Sequence, residues 1–459
     1  MKSHQAQPAI PPWGESAVRA ALGLPAPARD RTFTTISTDS RAIPAGSLFV
    51  ALAGERFDGH DYLDAAVAAG ASAAIVRQGT APVTGLDLIE VPDTLRAFGA
   101  LAQARRTAIP GPVVAITGTN GKTSTKEMLA AALRTRYTTY ATRANLNNLV
   151  GVPLTILEAP EGTEALVVEA GANLPGEIAR YREIIAPRVV IVTNAVAGHL
   201  EGFGSLDGVV EEKLSLTDGA ELAVVGVDPA ALATGARRRA RRVRSAALQG
   251  ADLVPEQVEV GADARPVLTI GGKTFTLAAR GLHQADNAVR VWAVAEELEL
   301  DPAAVAGALE RFTLPGGRGE LLQVKRLTVL NDCYNANPQS FRAAIATART
   351  LRAGRRLVFV AGTMRELGAE SERLHQQVAR ELVELKPDLL AVVGDFVPAL
   401  EPHRERLGDT LLTAADPLAL GPILAERLQG DEVVVLKASR GVALERILPA
   451  LTARANSLG

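Results

Sequence analysis

An α/β fold of three domains is expected for this chain, on three observations. Its 459 residues exceed what one core of ordinary size holds. Short β-branched runs alternate with Ala- and Leu-rich helical stretches, the pattern of mostly parallel sheets with crossover helices. One such junction, Val113-Val-Ala-Ile-Thr-Gly-Thr-Asn-Gly-Lys-Thr-Ser124, runs strand, glycine turn, Lys-Thr, helix, which is how a phosphate loop is built. The expected domains are residues 1–92, a small N-terminal α/β domain; 93–313, a central P-loop ATPase-like parallel sheet; and 314–459, a Rossmann-like doubly wound unit.

In chain order, Thr34–Arg41 and Ser47–Leu52 read as strands, and Tyr62–Val76, rich in alanine, as the one helix before Pro92. A helix from Asp93 leads through the breaker cluster Ile109-Pro-Gly-Pro112 into the loop. The loop is followed by a helical pattern with apolar Met128, Leu129, Ala132 and Leu133. Strands are then expected at Ala165–Ala170, Arg188–Thr193 and Leu222–Val227. Leu314-Pro-Gly-Gly-Arg318 marks the next joint. Beyond it, strands at Leu327–Leu330, Leu357–Ala361, Leu389–Val393 and Glu432–Leu436 alternate with helices.

Composition narrows the function. Hydrophobic residues make up 47% and charged residues 22%, the balance of a soluble globular protein. No apolar run is long enough to span a membrane, and Met1-Lys-Ser-His-Gln-Ala-Gln-Pro8 lacks the apolar core of a signal peptide. A single cysteine, Cys333, fits a reducing cytoplasm, and a net charge of −2 argues against a nucleic-acid partner. Only 8 of the 49 cationic residues are lysine, so a lysine inside a motif is less easily incidental. Lys122, Lys213 and Lys437 stand in such places. The basic run Arg237–Arg244 reads as a solvated face.

In the loop, Gly118 and Gly121 let backbone N–H groups approach phosphate oxygens, and the helix start adds partial positive charge. Thr119, Asn120 and Ser124 complete the cradle. Lys122 is placed to reach the outer phosphates and Thr123 to set a hydroxyl on Mg²⁺. The loop is a shortened variant, because Ile116 stands where the usual first glycine would be.

Further groups follow. Asn145, Asn147 and Asn148 read either as an Asx-turn loop or as amides that hold a polar substrate. Glu169 ends a strand, where it is a Mg²⁺ ligand or a charge facing solvent. His199 follows another strand end, in reach of metal or phosphate, although a lone histidine is more often structural. Lys213 reads by default as a surface lysine paired with glutamate. Asp332, Tyr334 and Asn335 offer an acceptor, a ring and an amide that suit a ribose and base, or form a polar turn closed by Pro338. Lys437, Ser439 and Arg440 either receive a carboxylate or phosphate or begin a helix with solvated charges.

Taken together, these segments resemble the Mur ligase family, which builds the peptide stem of the bacterial cell wall. The markers are Thr38-Asp-Ser-Arg41, Gly118–Thr123, Asn145–Asn148 with Gly151-Val-Pro153, Glu169-Ala-Gly-Ala-Asn173, His199-Leu-Glu-Gly-Phe-Gly204, Tyr334-Asn-Ala-Asn-Pro338, Glu366-Leu-Gly368 and Lys437-Ala-Ser-Arg-Gly441. The resemblance implies ATP-dependent amide synthesis. A terminal carboxylate of UDP-muramoyl-tripeptide takes the γ-phosphate, and the amine of D-alanyl-D-alanine displaces it. It implies that Thr123 and Glu169 hold one Mg²⁺ and that His199 helps hold a second. Lys213 matches a lysine that CO₂ carbamylates, which puts a negative group beside the metals. Asn287 and Arg318 match nucleotide contacts, and Asp332 a ribose contact. Ser40, Arg41, Phe57, Asp58 and His60 match the part that holds the UDP-sugar. The chain is expected to be a monomer with no membrane span.

Three positions depart from the family pattern: Gln284 replaces an asparagine, Thr363 stands where aspartate is common, and Asn331 precedes Asp332 where a second aspartate is frequent. Two alternatives compete. One is the ligase that adds the third stem amino acid, which carries an Asp-Asn-Pro-Arg-like motif not found here. The other is a nucleotide-binding switch without ligase activity. A guanine switch needs Asn-Lys-x-Asp, and none of the 8 lysines follows an asparagine.

Overall fold

The computed structural model describes residues 10–54, 57–196 and 200–458. Two compact units divide them. The first runs through Ile116 and adds Arg136–Ala172 and Gly176–Val190; the second takes Thr117–Thr135, Asn173–Pro175 and Ile191 onward.

The first unit begins with short ladders. Strand β1 (Trp13–Gly14) pairs with β2 (Thr32–Phe33). A parallel sheet then takes β3 (Ile36–Ser37) and β4 (Leu48–Val50), a hairpin joins β5 (Ala53–Gly54) to β6 (Phe57–Asp58), and β7 (Ala73–Arg77) and β8 (Asp87–Val91) complete the sheet in the order β3-β4-β7-β8. Three expectations change here. The helix expected over Tyr62–Val76 is confined to Leu63–Ala68, and its second half is β7. Gly70 turns the chain at φ +82°, and Ala73–Val76 are fully buried, so Ile75 and Val76 pack as strand residues despite the alanine-rich context. A second helix, Glu15–Ala21, was not expected. Its buried Glu15 is ion-paired with Arg19 at 2.7 Å and Arg31 at 2.5 Å. The Thr34–Arg41 strand shrinks to β3, because Asp39 closes a turn by accepting from the Arg41 N–H at 3.0 Å.

Helix Thr94–Arg106, capped by Asp93 on the Arg96 N–H, leads to β9 (Val113–Thr117). With β10 (Thr139–Ala141), β11 (Ala165–Glu169), β12 (Val189–Val192), β13 (Leu222–Val225) and β14 (Val243–Ser245), it belongs to a six-stranded sheet of order β10-β11-β9-β12-β13-β14. The pairs β10/β11, β11/β9 and β13/β14 are parallel, as the alternation implied.

Later in the chain, β15 (Gln257–Val260), β16 (Pro266–Ile270) and β17 (Lys273–Thr276) form an antiparallel sheet that the sequence reading did not anticipate. The last sheet holds β18 (Glu320–Val324), β19 (Leu327–Asp332), β20 (Leu357–Ala361), β21 (Leu389–Val393), β22 (Leu411–Ala414) and β23 (Val433–Lys437), in the order β18-β19-β23-β20-β21-β22. Only β18 is antiparallel to its neighbour. Helices bury both faces. Leu357, Phe359 and Ala361 enter one apolar cluster with Phe341 and Phe396, while Val358 and Val360 enter another with Leu444 and Ile447. Burial on both sides explains why β20 reads as an unbroken apolar run. Its C-terminal edge, with that of β19 and β23, carries the polar loops described next.

Candidate active site

The phosphate loop is held by the chain that continues β12. Thr119 N–H donates to Asn194 O at 3.0 Å, Asn120 N–H to Asn194 Oδ1 at 2.9 Å, and the Thr193 hydroxyl to Asn120 O at 2.6 Å. Gly118 has φ +142°, and a Cβ there would lie 2.0 Å from Thr193 Oγ1. Only glycine fits that approach. Gly121, at φ +83°, is the N-cap of helix Lys122–Leu133 and supplies no side chain to cap it. The N-cap residue thus leaves the first-turn N–H groups without a side-chain cap, as a phosphate cradle requires. Lys122 Nζ donates to Gly118 O at 2.8 Å and Thr119 O at 3.0 Å, which holds the ammonium over the loop. Thr119, Thr123 and Ser124 are buried.

Asn287 packs directly on this loop. A Cβ on Gly121 would meet its Oδ1 at 2.6 Å. Asn287 is oriented by the Gln284 carbonyl oxygen and the Arg290 guanidinium, both at 3.2 Å. Buried Arg290 is itself ion-paired with Asp286. Gln284, one of the departures, therefore still supplies an amide to its neighbour.

Asn120 makes a contact that sequence reasoning missed. Its Oδ1 accepts from Asn337 Nδ2 at 2.6 Å, and its Nδ2 donates to Gln339 Oε1 at 2.7 Å. Gln339 Nε2 continues to Asp228 Oδ2 at 2.6 Å. Asn337 is also the N-cap of helix Pro338–Arg352, with a full capping box to Ser340. The sequence reading took the segment ending at Pro338 for a ribose and base contact or a polar turn, and nothing in the sequence signalled that the cap's amide also reaches the phosphate loop.

At the edge of the last sheet, Arg318 stacks on Tyr334, its Cζ 3.7 Å from the ring centroid, and its Nε is buried without a hydrogen-bond partner among the described residues. Lys437, buried at the end of β23, donates to Asp332 Oδ2 at 2.6 Å and to Asn335 O at 2.7 Å. Asp332 and Lys437, assigned separately from sequence, form one ion pair. Arg440 is likewise paired with Glu445 at 2.5 Å. Asn335 is exposed, and buried Ser439 accepts from the Arg365 N–H at 2.9 Å. Beside them His375 is buried. Its Nε2 accepts from the Met364 N–H at 2.9 Å and its Nδ1 donates to Ser371 O at 2.7 Å. Burial pushes its pKa below the usual imidazole value, against smaller opposing effects of Ser371 and Asp395.

Lys213 lies in helix Leu206–Leu214 and is fully buried, its Nζ 5.3 Å from the Phe203 ring centroid. The default surface reading fails for it. His199 lies outside the described residues.

In the first unit, Glu169 is buried rather than facing solvent. Its Oε1 accepts from Asn147 Nδ2 at 2.8 Å, and its Oε2 is buried with no hydrogen-bond partner among the described residues. An orphaned buried carboxylate oxygen is costly unless something else claims it. Its chemistry fits a hard divalent cation. Asn148 takes the turn role: its Oδ1 accepts from the Gly151 N–H at 2.8 Å. Asn145 is exposed. Among the described residues no cluster of three or more His, Cys, Asp or Glu could hold a metal by itself.

Near the N-terminus, Arg41 is exposed and forks onto Asp39, with both bonds at 2.8 Å. That fork, with the Arg41 N–H, pulls the Asp39 pKa down to about 2. Ser40, beside it, is partly buried. Asp58 accepts from the His60 N–H at 3.0 Å and meets its Nδ1 at 2.5 Å, and the backbone bond leads in holding its carboxyl below the usual range. His60 Nε2 accepts from the Arg77 N–H at 2.9 Å. Exposed Phe57 stacks on Tyr62 with ring centroids 5.0 Å apart.

A glycine-cradled phosphate loop that opens a helix beside a parallel sheet, followed by a second doubly wound sheet edged with an arginine–tyrosine stack, defines a nucleotide-using ligase of Mur type. Family models agree along the chain: residues 32–106 match the Mur ligase family, catalytic domain; 116–295 the Mur ligase middle domain; and 317–440 the Mur ligase, glutamate ligase domain. The chain belongs to the Mur ligase family.

Its relatives are more particular. It is 35% identical to the UDP-N-acetylmuramoyl-tripeptide--D-alanyl-D-alanine ligase of Escherichia coli (strain K12), over 92% of this chain and 94% of that protein. MurF from Acinetobacter baumannii superposes with a TM-score of 0.87 at 29% identity, covering 97% of this chain and 99% of the other. MurF ligase from Thermotoga maritima, solved in complex with ADP, gives 0.81 at 28% identity, covering 93% and 98%. The three-domain α/β fold expected from sequence is the fold of these structures.

Proposed function

We propose that this chain is an ADP-forming ligase that joins D-alanyl-D-alanine to UDP-N-acetylmuramoyl-tripeptide in peptidoglycan precursor synthesis. The observation that carries the reading is the intact phosphate loop, Gly118–Ser124, locked to Asn194 and Asn287, in a chain 35% identical to such a ligase. A free carboxylate is a poor acyl donor. Phosphorylation by ATP gives it a leaving group, and the dipeptide amine then forms the amide. The transferring phosphoryl group needs positioning and charge neutralisation more than covalent help. Lys122 and the loop N–H groups supply both, while Arg318 and Tyr334 present a flat cationic and aromatic surface to the base and Asp332 an acceptor to the ribose. Ser40, Arg41, Phe57, Asp58 and His60 belong to the UDP-sugar side of this reading, with domain limits at 1–92, 93–313 and 314–459.

Magnesium and a carbamylated Lys213 are part of the same proposal. Glu169, with its unclaimed oxygen, and Thr123 each offer a donor to Mg²⁺, which neutralises phosphate charge when bound. Lys213 is buried on the helix Leu206–Leu214. Carbamylation replaces its ammonium with an anion suited to a second cation site. The product is a wall precursor, so the activity bears on cell shape and division.

Phosphate release with ATP, UDP-muramoyl-tripeptide and a panel of D-dipeptides and single amino acids tests the activity. Release that depends on D-alanyl-D-alanine is expected. Release that depends on a single amino acid would move the chain to the ligase for the third stem residue, and no release would sink the reading. Lys213→Ala is expected to lose most activity and to regain part of it with a short-chain carboxylate; an unimpaired variant rules out the carbamate.

A further inference from the structure

Three cations crowd the C-terminal edges of β20 and β23, and two of them are already neutralised. Lys437 belongs to Asp332, and Arg440 to Glu445. The third, Arg365, has no carboxylate within ion-pair distance among the described residues. Its side chain is nevertheless held in place. Nη2 donates to Gly441 O at 3.1 Å, and the guanidinium lies against Gly441 so closely that a Cβ there would stand 2.5 Å from Nη1 and 2.7 Å from Cζ. Its backbone N–H donates to Ser439 Oγ at 2.9 Å, and Ser439 N–H is fixed on Thr363 O at 3.1 Å. Ser439 is buried, and because its oxygen accepts from Arg365, its own proton is left to donate.

The result is an oriented, exposed guanidinium with most of its five donors uncommitted, on a residue whose backbone N–H meets a hydroxyl with a proton to give. Arginine presents that fork in the geometry of a carboxylate. We infer that Arg365, with Ser439, receives the free carboxylate of the dipeptide substrate and so selects an amine that carries a C-terminal acid. The inference rests on the ligase reading above. An extended dipeptide separates its attacking nitrogen from its carboxylate by about 7 Å, so the anion contact must lie apart from the groups that serve the acyl phosphate. The nucleotide phosphates have their own donors in the Gly118–Lys122 loop, so this fork is not needed for them. A side chain at Gly441 would shift the guanidinium.

The test is steady-state kinetics of the full chain with each substrate varied in turn, using D-alanyl-D-alanine and its C-terminal amide. Arg365→Ala is expected to raise KM for the dipeptide about 10- to 100-fold, the range for losing a charged hydrogen bond. kcat and the KM values for ATP and UDP-muramoyl-tripeptide stay near wild type. Wild type favours the free acid over the amide; Arg365→Ala treats them alike. Arg365→Lys recovers part of the preference, and Gly441→Ala, which shifts the fork without removing it, loses part of it. An unchanged dipeptide KM in Arg365→Ala, retained discrimination against the amide, or a rise confined to the ATP KM overturns the assignment while leaving the ligase reading intact. Wild-type protein inert with the dipeptide overturns both.

Discussion

The phosphate loop and the polar edge of the last sheet both end parallel strands, yet they are made differently. The loop works through its backbone. Gly118 and Gly121 bring N–H groups and carbonyls into place, and the side chains around them, Thr193, Asn194 and Asn287, are uncharged. The sheet edge works through side-chain charges that are mostly spent on one another, Lys437 on Asp332 and Arg440 on Glu445. Backbone function leaves a spacing of glycines that can be read directly. Charge function depends on which partner a side chain finds, and no spacing records that.

The sharpest way to break this contrast is at Gly118. A Cβ there would stand 2.0 Å from Thr193 Oγ1 and 3.0 Å from Asn194 O at φ +142°. Gly118→Ala is expected to abolish nucleotide-dependent phosphate release by about three orders of magnitude, the scale of losing preorganised charge stabilisation. Near wild-type turnover would show that the loop tolerates side chains after all. At the sheet edge the equivalent lesion is one of charge. Asp332→Ala strands the buried Lys437 ammonium and is expected to cost about 3 kcal/mol in denaturant unfolding. Asp332→Ala combined with Lys437→Met should recover much of that loss. If the single variant costs nothing, the pair is not what holds the edge.

Asn337→Ala tests a residue that serves both regions. Loss of the N-cap is expected to cost about 1 kcal/mol. A rise in KM for ATP, absent from Ser340→Ala, would report the separate contact with Asn120. The smallest effect concerns pH. The pKa of His375 is lowered in the folded chain, so the unfolded chain binds its proton more readily. The stability from the neutral ring is present above about pH 6.5 and is lost as pH falls through that value toward the folded pKa. Urea midpoints between pH 7 and 5 are expected to fall more steeply for wild type than for His375→Asn. Parallel curves would exclude the Met364 bond as the linked group.

The same contrast accounts for what the sequence revealed. The strands β9, β11, β13, β20 and β21 were legible because burial on both faces forces continuous apolar runs. The switch from helix to strand between Ala68 and Ala73 was not, because alanine suits both and only the neighbouring strands β4 and β8 decide it. Likewise, Lys122 and Gly118–Ser124 stood out by local pattern. Burial of Lys213 and, among the described residues, the orphaned oxygen of Glu169 and the absence of a carboxylate at Arg365 are products of packing, and no local pattern carries them.

The Asn120 bridge to Asn337 and Gln339 has its own consequence. Its two ends sit in segments more than 200 residues apart in sequence, and at the loop it is made wholly of neutral carboxamides. Added electrolyte has no ionic attraction to weaken there, whereas the neighbouring ion pairs soften as ionic strength rises. High salt would therefore loosen the exposed Arg440–Glu445 pair before it parted the phosphate loop from the helix that follows β19.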